Sequence, residues 1–469
     1  MKHLILGAVS TAALLLAGSG FAQNVTTINQ QGSNNSASAD QSNGSNELTQ
    51  INQISSSNIA TVTQGGVNDE AFIDQDTDGA YTASTATVTQ IGQNGTFQVA
   101  QHGYNAAVAT QGANSVGETG YISQTGYNPG VGALLQQNGF GNSGWIIQTG
   151  NFNISTVTQN GSGGYAGPLV ETAIDGTLNA DNFGFRQGGG SQQIGSYNTS
   201  IIDQEGSAGM AVTEATGVGN YQNILQGAAS NQATAFHIAV GDYNTGEITQ
   251  AQGPSFSGNT VFGSSNIITV FQNGASTSLI GQGTHVDAVG IGVDEGTPVS
   301  YASATVTQTG DGHASTIEQF SSATATVVQI SFPETAGDTS KITQGAGAVW
   351  SQATVNPYGS AGFSYIDQEG VADVASLTQE QGSGNEGSSI VQTGQSDTAS
   401  VDQSGNQEAS NVAQTGYSNS VTVNQSGYNN GSDIIQTGDW NTATVMQKGA
   451  GASSTITQAG SGNSAIVKQ

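Results

Sequence analysis

The sequence predicts an all-β fold, a β-solenoid built from rungs of about 22 residues with two strands each. Three observations predict it. A glutamine returns every eleven residues at Gln392, Gln403, Gln414, Gln425, Gln436, Gln447, Gln458 and Gln469. A glycine stands two residues after a glutamine at Gly394, Gly405, Gly416, Gly427, Gly438, Gly449 and Gly460. An aliphatic residue stands two before it at Val401, Val412, Val423, Ile434, Val445, Ile456 and Val467, and Asn419, Asn430, Asn441 and Asn463 follow the glycines by three, with Asp397, Glu408 and Ala452 in the weaker copies.

The strand follows from alternation. Asn441, Ala443, Val445 and Gln447 occupy every second position and share one face, while Thr442, Thr444 and Met446 take the other. An eleven-residue helical repeat would need apolar residues three and four apart and would not carry a glycine in every copy. The turn follows from Gly438 and Gly449, placed where positive φ is cheap for glycine alone. Strand, turn, strand, turn closes one rung, and stacked rungs set like over like. Valines form a thin apolar seam, and glutamines and asparagines form amide ladders that satisfy one another. The length corresponds to roughly 20 rungs, on the order of 95 Å of stacked strand.

Composition excludes other classes. Met1 to Ala22 has a basic start at Lys2, an apolar run from Leu4 to Leu16 and small residues before Ala22, the pattern of a secretory signal peptide. No later run is long enough to span a bilayer as a helix, so the product is expected to be exported and not membrane-embedded. A net charge of −28, with Arg186, Lys341, Lys448 and Lys468 the basic residues after the signal, leaves no footprint for nucleic acid. With no cysteine there is no disulfide framework. Gly, Ser, Asn, Gln and Thr dominate, which alone would suit a disordered chain, but the fixed period argues for order.

The step of eleven recurs upstream, from Gln30 to Gln41, Gln53 to Gln64 to Gln75, Gln90 to Gln101, Gln137 to Gln148 to Gln159, Gln193 to Gln204, Gln308 to Gln319 and Gln368 to Gln379. Whole rungs run from Gln204 to Gln226 and from Gln250 to Gln272. Interruptions at 160–186, 283–300, 330–340 and 353–363 contain Pro168, Pro298, Pro333 and Pro357 and read as loops or breaks, because proline cannot donate to a ladder. The expected organisation is signal peptide 1–22, N-terminal repeats 23–159, degenerate repeats with loop insertions 160–363, and regular repeats 364–469. One continuous solenoid is expected, with two or three shorter stacks as the alternative.

Gln436 to Gln447, QTGDWNTATVMQ, fits the pattern QxGxxNxAxxxQ and resembles the repeat of curlins, the subunits of curli fibres on bacterial surfaces. Gln414 to Gln425 is similar, with Gly416 and Asn419 in place and Val421 for the alanine; Gln148, Gly150, Asn153 and Gln159 match again, with Ser155 for the alanine. This resemblance implies an amyloid-like solenoid, export through an outer-membrane curli secretion channel, and growth from a nucleator subunit into extracellular fibres. It further implies a cell-surface location, a fimbrium-like or pilus-like structure, and a part in biofilm cohesion and adhesion to host or matrix surfaces. The chain departs from typical curlins in its length and in having no glycine-rich, repeat-free leader.

The two ends point to self-assembly. Asn24, Thr26, Ile28 and Gln30 show the inward alternation, as do Ala465, Val467 and Gln469, and no capping sequence accompanies either strand. An open edge recruits further strands, so homopolymeric end-to-end growth is expected.

Rival classes are weaker. Thr61 with Thr63, Thr87 with Thr89, Thr156 with Thr158, Thr305 with Thr307 and Thr455 with Thr457 suggest the rows of an ice-binding solenoid, but they are too scattered in sequence for one plane. A monomeric secreted solenoid adhesin or ice-binding protein is the alternative reading. An enzyme is not expected: His102, His237, His285 and His313 are far apart, His237 takes a repeat glutamine place, and a polysaccharide-cleaving site would need a cation that Arg186 and Lys341 do not assemble. No catalytic, cofactor or metal set is expected. Asp74, Asp203, Glu318, Asp367 and Asp402, just before their glutamines, are read as outward and solvating, with calcium binding near Asp203 the alternative. Trp440 is read as outward and as a contact for surfaces or dyes, Tyr417 and Tyr428 as turn packing.

Overall fold

The computed structural model describes residues 24–76, 83–162, 189–284, 298–330, 337–358, 361–380 and 386–469. The signal segment Met1 to Ala22 lies outside them, as do Arg186, His285, Pro168 and Pro333. Every helical or extended element among the described residues is a strand, and no helix long and apolar enough to cross a membrane occurs among them.

Strands pair in parallel with the segment one rung away, which for most is not their neighbour in the chain; Thr96–Gln111 and Thr119–Gln137, which run on through a turn, pair with each other. Thr442–Ala450 lies on Ser420–Tyr428 in unbroken register, Val423 over Val445 and Gln425 over Gln447. Where residues are inserted, the step lengthens and the register survives: Ile154–Gln159 pairs directly with Thr199–Gln204, Val157 on Ile202 and Gln159 on Gln204. A slip by one residue would turn every inward side chain out to solvent, so the alternation itself pins the pairing.

The described residues form two compact units, one ending at Phe236 and one beginning at His237. Each is a β-solenoid. In the second unit, one wall of the last rungs consists of Gly387–Gln395, Ala409–Tyr417, Gly431–Asp439 and Ser453–Ala459. Thr398–Gln403, Ser420–Tyr428, Thr442–Ala450 and Ser464–Lys468 make the other. Between the walls lie Ile390, Val412 and Ile434 against Val401, Val423 and Val445, all buried. A buried aliphatic contributes on the order of 1.5–3 kcal/mol. With so few per rung, the stack depends heavily on its backbone pairing.

The turns refine the expectation for glycine. Gly416, Gly427, Gly438, Gly449 and Gly460 do take positive φ, between 99° and 132°. Gly394 and Gly405 do not, and a different cause requires them: a Cβ there would lie 2.2 Å from the carbonyl oxygen of Gly416 or Gly427 on the next rung. The left-handed residue that sequence reasoning missed comes two positions after the glycine. It is Ser396, Gln407, Ser418, Asn429 and Trp440, with φ from 52° to 60°.

Three other expectations are corrected. Residues 353–357 are no interruption, because Gln352–Pro357 is a strand whose Pro357 sits over Gln379 in a glutamine place. Proline is tolerated there because alternate N–H groups face opposite neighbours: pairing with Thr324–Ile330 ends at Val355, while the Tyr358 N–H still donates to Gln379 at 2.8 Å. Residues 339 and 340 likewise begin the strand Thr339–Gln344. The threonine pairs are less scattered in space than in sequence: Thr61 and Thr63 lie directly on Thr87 and Thr89. Their flanking rungs carry Ser38 with Asp40 and Val108 with Thr110, so the row is short.

Candidate functional site

The inward glutamines form two ladders in each unit. In the first, Gln30, Gln53, Gln75, Gln101, Gln124, Gln148 and Gln193 donate each to the next, with N to O distances from 2.7 to 3.1 Å. The facing wall runs Gln137, Gln159, Gln204, Gln226. In the second unit, Gln282, Gln319, Gln344, Gln368, Gln392, Gln414, Gln436 and Gln458 form one ladder. Gln379, Gln403, Gln425, Gln447 and Gln469 form the other. The eight C-terminal glutamines singled out in the sequence thus belong to two ladders, taken alternately.

The ladders are polar. Within a ladder Nε2 donates to the Oε1 one rung toward the C-terminus, and in most rungs also to a backbone carbonyl on the facing wall, as Gln414 does to Thr398 at 3.1 Å and Gln436 to Ser420 at 3.2 Å. A carbonyl only accepts, so the amide nitrogen must face it and the orientation of those rungs is fixed. The same bonds tie the two walls together across the core.

The asparagines work differently. Asn441 donates its backbone N–H to Oδ1 of Asn419 at 3.1 Å, and Asn463 does the same to Asn441 at 3.1 Å, so each side chain caps the backbone of the following turn. Asn430 accepts from the Ala452 N–H at 3.0 Å in the other column of turns.

Carboxylates replace asparagine in several turns, a set the sequence reading passed over apart from Asp397 and Glu408. Asp373 Oδ1 accepts from the Asp397 N–H at 2.9 Å, and Asp397 Oδ1 from the Asn419 N–H at 2.8 Å. Glu47 accepts from Asp69 N–H at 3.0 Å and Glu118 from Asn142 N–H at 2.8 Å. All are buried. Desolvation pushes Asp373 and Glu47 up to about 6 and Glu118 up to about 7, and raises Asp69, Asp397 and Glu408 as well. The signal was available: Asp69, Asp373 and Asp397 stand five residues after Gln64, Gln368 and Gln392.

Histidines and outer acids complete the electrostatics. His237 is enclosed, and desolvation lowers it to about 4. His313 takes an asparagine place and accepts the Asp338 N–H on Nδ1 at 3.2 Å; burial lowers the imidazole and raises the Asp338 carboxyl. Glu318 corrects the solvating role expected of it, because it is buried and paired with Lys341 at 3.3 Å. Asp74 is exposed and Asp203, Asp367 and Asp402 are half-buried. Among the described residues no group of three His, Asp or Glu side chains is placed to hold a metal ion.

The end rungs expose the ladders. Among the described residues, Ser453–Ala459 and Ser464–Lys468 pair on one side only, with Gly431–Asp439 and Thr442–Ala450. Gln458 and Gln469 spend one N–H on the carbonyls of Thr442 and Ser453, which leaves one for a further rung. In the first unit, Val25–Gln31 pairs, among the described residues, only with Leu48–Ile54. There Thr26, Ile28 and Gln30 are half-buried on the inward face, and Gln30 donates onward to Gln53 at 2.7 Å. Asn24 holds the Gln41 carbonyl at 2.8 Å and accepts from Glu47 N–H at 3.1 Å. Ala465 and Val467 face inward under Ala443 and Val445, and Gln469 accepts from Gln447 at 3.0 Å.

Comparison with protein families matches residues 416–449 and 438–469 to the curlin associated repeat. No curated protein matches the chain.

Proposed function

We propose that this curlin-repeat protein is a secreted structural subunit of extracellular, curli-like fibres that grow by stacking copies end to end. The observation that carries the reading is the polarity of the amide ladders. Among the described residues, Gln458 and Gln469 offer amide N–H donors beside a strand edge with no further pairing, and Gln30 offers amide oxygen beside the complementary edge. One copy's last rung has the chemistry to continue on another's first, with parallel pairing and a new glutamine ladder step.

The family resemblance supplies the rest: export through an outer-membrane channel, a nucleator subunit as partner, and a contribution to biofilm cohesion and adhesion. The role is structural and not enzymatic. The test is to dilute residues 23–469 from denaturant into neutral buffer and follow growth by electron microscopy and fibre diffraction. Fibres with reflections near 4.7 Å and 10 Å are expected, together with a large loss of growth rate when Ser464–Gln469 is deleted. A stable monomer, or growth unaffected by that deletion, overturns the reading.

A further inference from the structure

The left-handed turn position suits glycine and asparagine and disfavours bulky side chains. In the second unit it nevertheless holds Tyr243, Tyr301 and Trp350, with φ of 58°, 62° and 62°. Their exposures are 64%, 75% and 73%, so packing does not explain them. They share one edge, since the strands that follow them, Thr245–Gln252, Ser303–Thr309 and Gln352–Pro357, belong to one wall. The opposite edge has Ala361, Gln407 and Asn429 at its left-handed non-glycine positions among the described residues, and none of these is aromatic. A fold requirement would act on both edges alike. A surface requirement would act on one.

Spacing indicates what that surface takes. Ser265 stands between Tyr243 and Tyr301, and Ser322 between Tyr301 and Trp350: Ser265 N–H bonds to Asp242, Tyr301 N–H to Ser264 and Trp350 N–H to Ser322 on successive rungs. Aromatic residues therefore recur on every second rung, about 9.6 Å apart at two strand spacings. A β-1,4-linked pyranose chain is extended, presents the same face at every second sugar, and repeats over a closely similar length. Its C–H faces stack on aromatic rings while its hydroxyls meet the intervening serines. The chain's net charge of −28 opposes side-by-side docking of a second copy and binding of acidic polymers or anionic lipid. A neutral polymer meets no such barrier.

We propose that the Tyr243, Tyr301 and Trp350 edge is a stacking platform for a neutral β-1,4-linked polysaccharide. This deepens the adhesive part of the proposed function by naming its partner. The test measures retention of the full chain, freshly diluted and as fibres, on amorphous β-1,4-glucan, on β-1,4-linked N-acetylglucosamine polymer and on amylose. The variant Tyr301→Asn with Trp350→Asn removes two rings while placing a residue suited to left-handed φ, so the fold is kept or stabilised. Tyr428→Ala, an exposed tyrosine of the opposite edge, is the control.

Binding to one or both β-1,4 polymers is expected, with weaker retention on helical amylose. The double variant is expected to lose affinity by about tenfold or more, with fibre growth and thermal midpoint maintained, and the control to bind as the parent does. No binding to either β-1,4 polymer, equal binding to amylose, or an unaffected double variant overturns the proposal. Because growth is scored separately, such a result leaves fibre assembly standing.

Discussion

In the last rungs the ladder from Gln392 to Gln458 has no gap, whereas in Phe256–Ser264 its place is taken by Val261. That strand still pairs in register with Thr277–Gln282, from Phe256 on Thr277 through Val261 on Gln282. The stack survives the loss of an amide. Backbone pairing, inward alternation and close approach at the turns carry the architecture, and the glutamines add stability and direction to it.

The largest expected effect therefore lies at a turn. A Cβ on Gly438 would lie 2.2 Å from the Gly460 carbonyl oxygen, at a φ of 108°, while one on Gly431 meets nothing within 4 Å. Gly438→Ala should cost about 3 kcal/mol or more, and Gly431→Ala should stay within about 0.5 kcal/mol. Native-state hydrogen exchange across residues 409–460 reads both. Equal protection in the two variants would show that close approach at the turn does not hold the stack.

A ladder amide should rank second. Gln436→Leu leaves Gln414 Nε2 without its acceptor, Gln458 Oε1 without its donor and the Ser420 carbonyl without its cross-wall bond. Orphaned buried polar groups cost roughly 1–3 kcal/mol each when relaxation and water give no relief, so a loss of about 2–3 kcal/mol in the same exchange measurement is expected.

What the sequence made legible follows the same division. Alternation and the eleven-residue step are linear patterns, so the strands, the inward glutamines and the parallel stack could be read from Gln392 to Gln469. The left-handed residue could not, because Ser396, Gln407, Ser418, Asn429 and Trp440 have no common chemistry and only their turn geometry unites them. Pro357 was misread for the opposite reason: its composition signal was strong, yet its location at a strand's last position makes it harmless. Glu318 was placed on the correct face, but its pairing with Lys341 depends on which rungs adjoin across an insertion.

The carboxylate turns provide the third test. Asp373 is buried and stands at about 6 against an ordinary 3.8. Its folded value is raised, so the folded state binds the proton more tightly than the unfolded chain. Stability should rise as pH falls through about 6 and the gain should be complete below the ordinary value. Asp373→Asn keeps an oxygen for the Asp397 N–H, as Asn419 does for Asn441. The variant should gain about 1–2 kcal/mol at pH 7 and nothing near pH 4. Denaturant midpoints at both values check it, and a gain that persists at low pH would trace the effect to packing instead of charge.

The smallest effect returns to the gap at Val261, and it has the opposite sign. Ladder amides donate toward the C-terminus, so Gln282 should receive a proton donor from the preceding rung, where Val261 has none to give. Its Oε1 is buried without a partner among the described residues, while its Nε2 donates normally to Gln319 at 2.9 Å. Val261→Gln supplies the missing donor at a place that accommodates glutamine on the rungs that follow. An increase of about 1 kcal/mol is expected, seen as added protection of residues 256–282 in hydrogen exchange. Unchanged protection would show that the buried Gln282 Oε1 carries no penalty and that the ladder contributes nothing at this rung. The size of that one change thus measures what one further ladder step adds, which is the same bond that end-to-end growth would form at each joint.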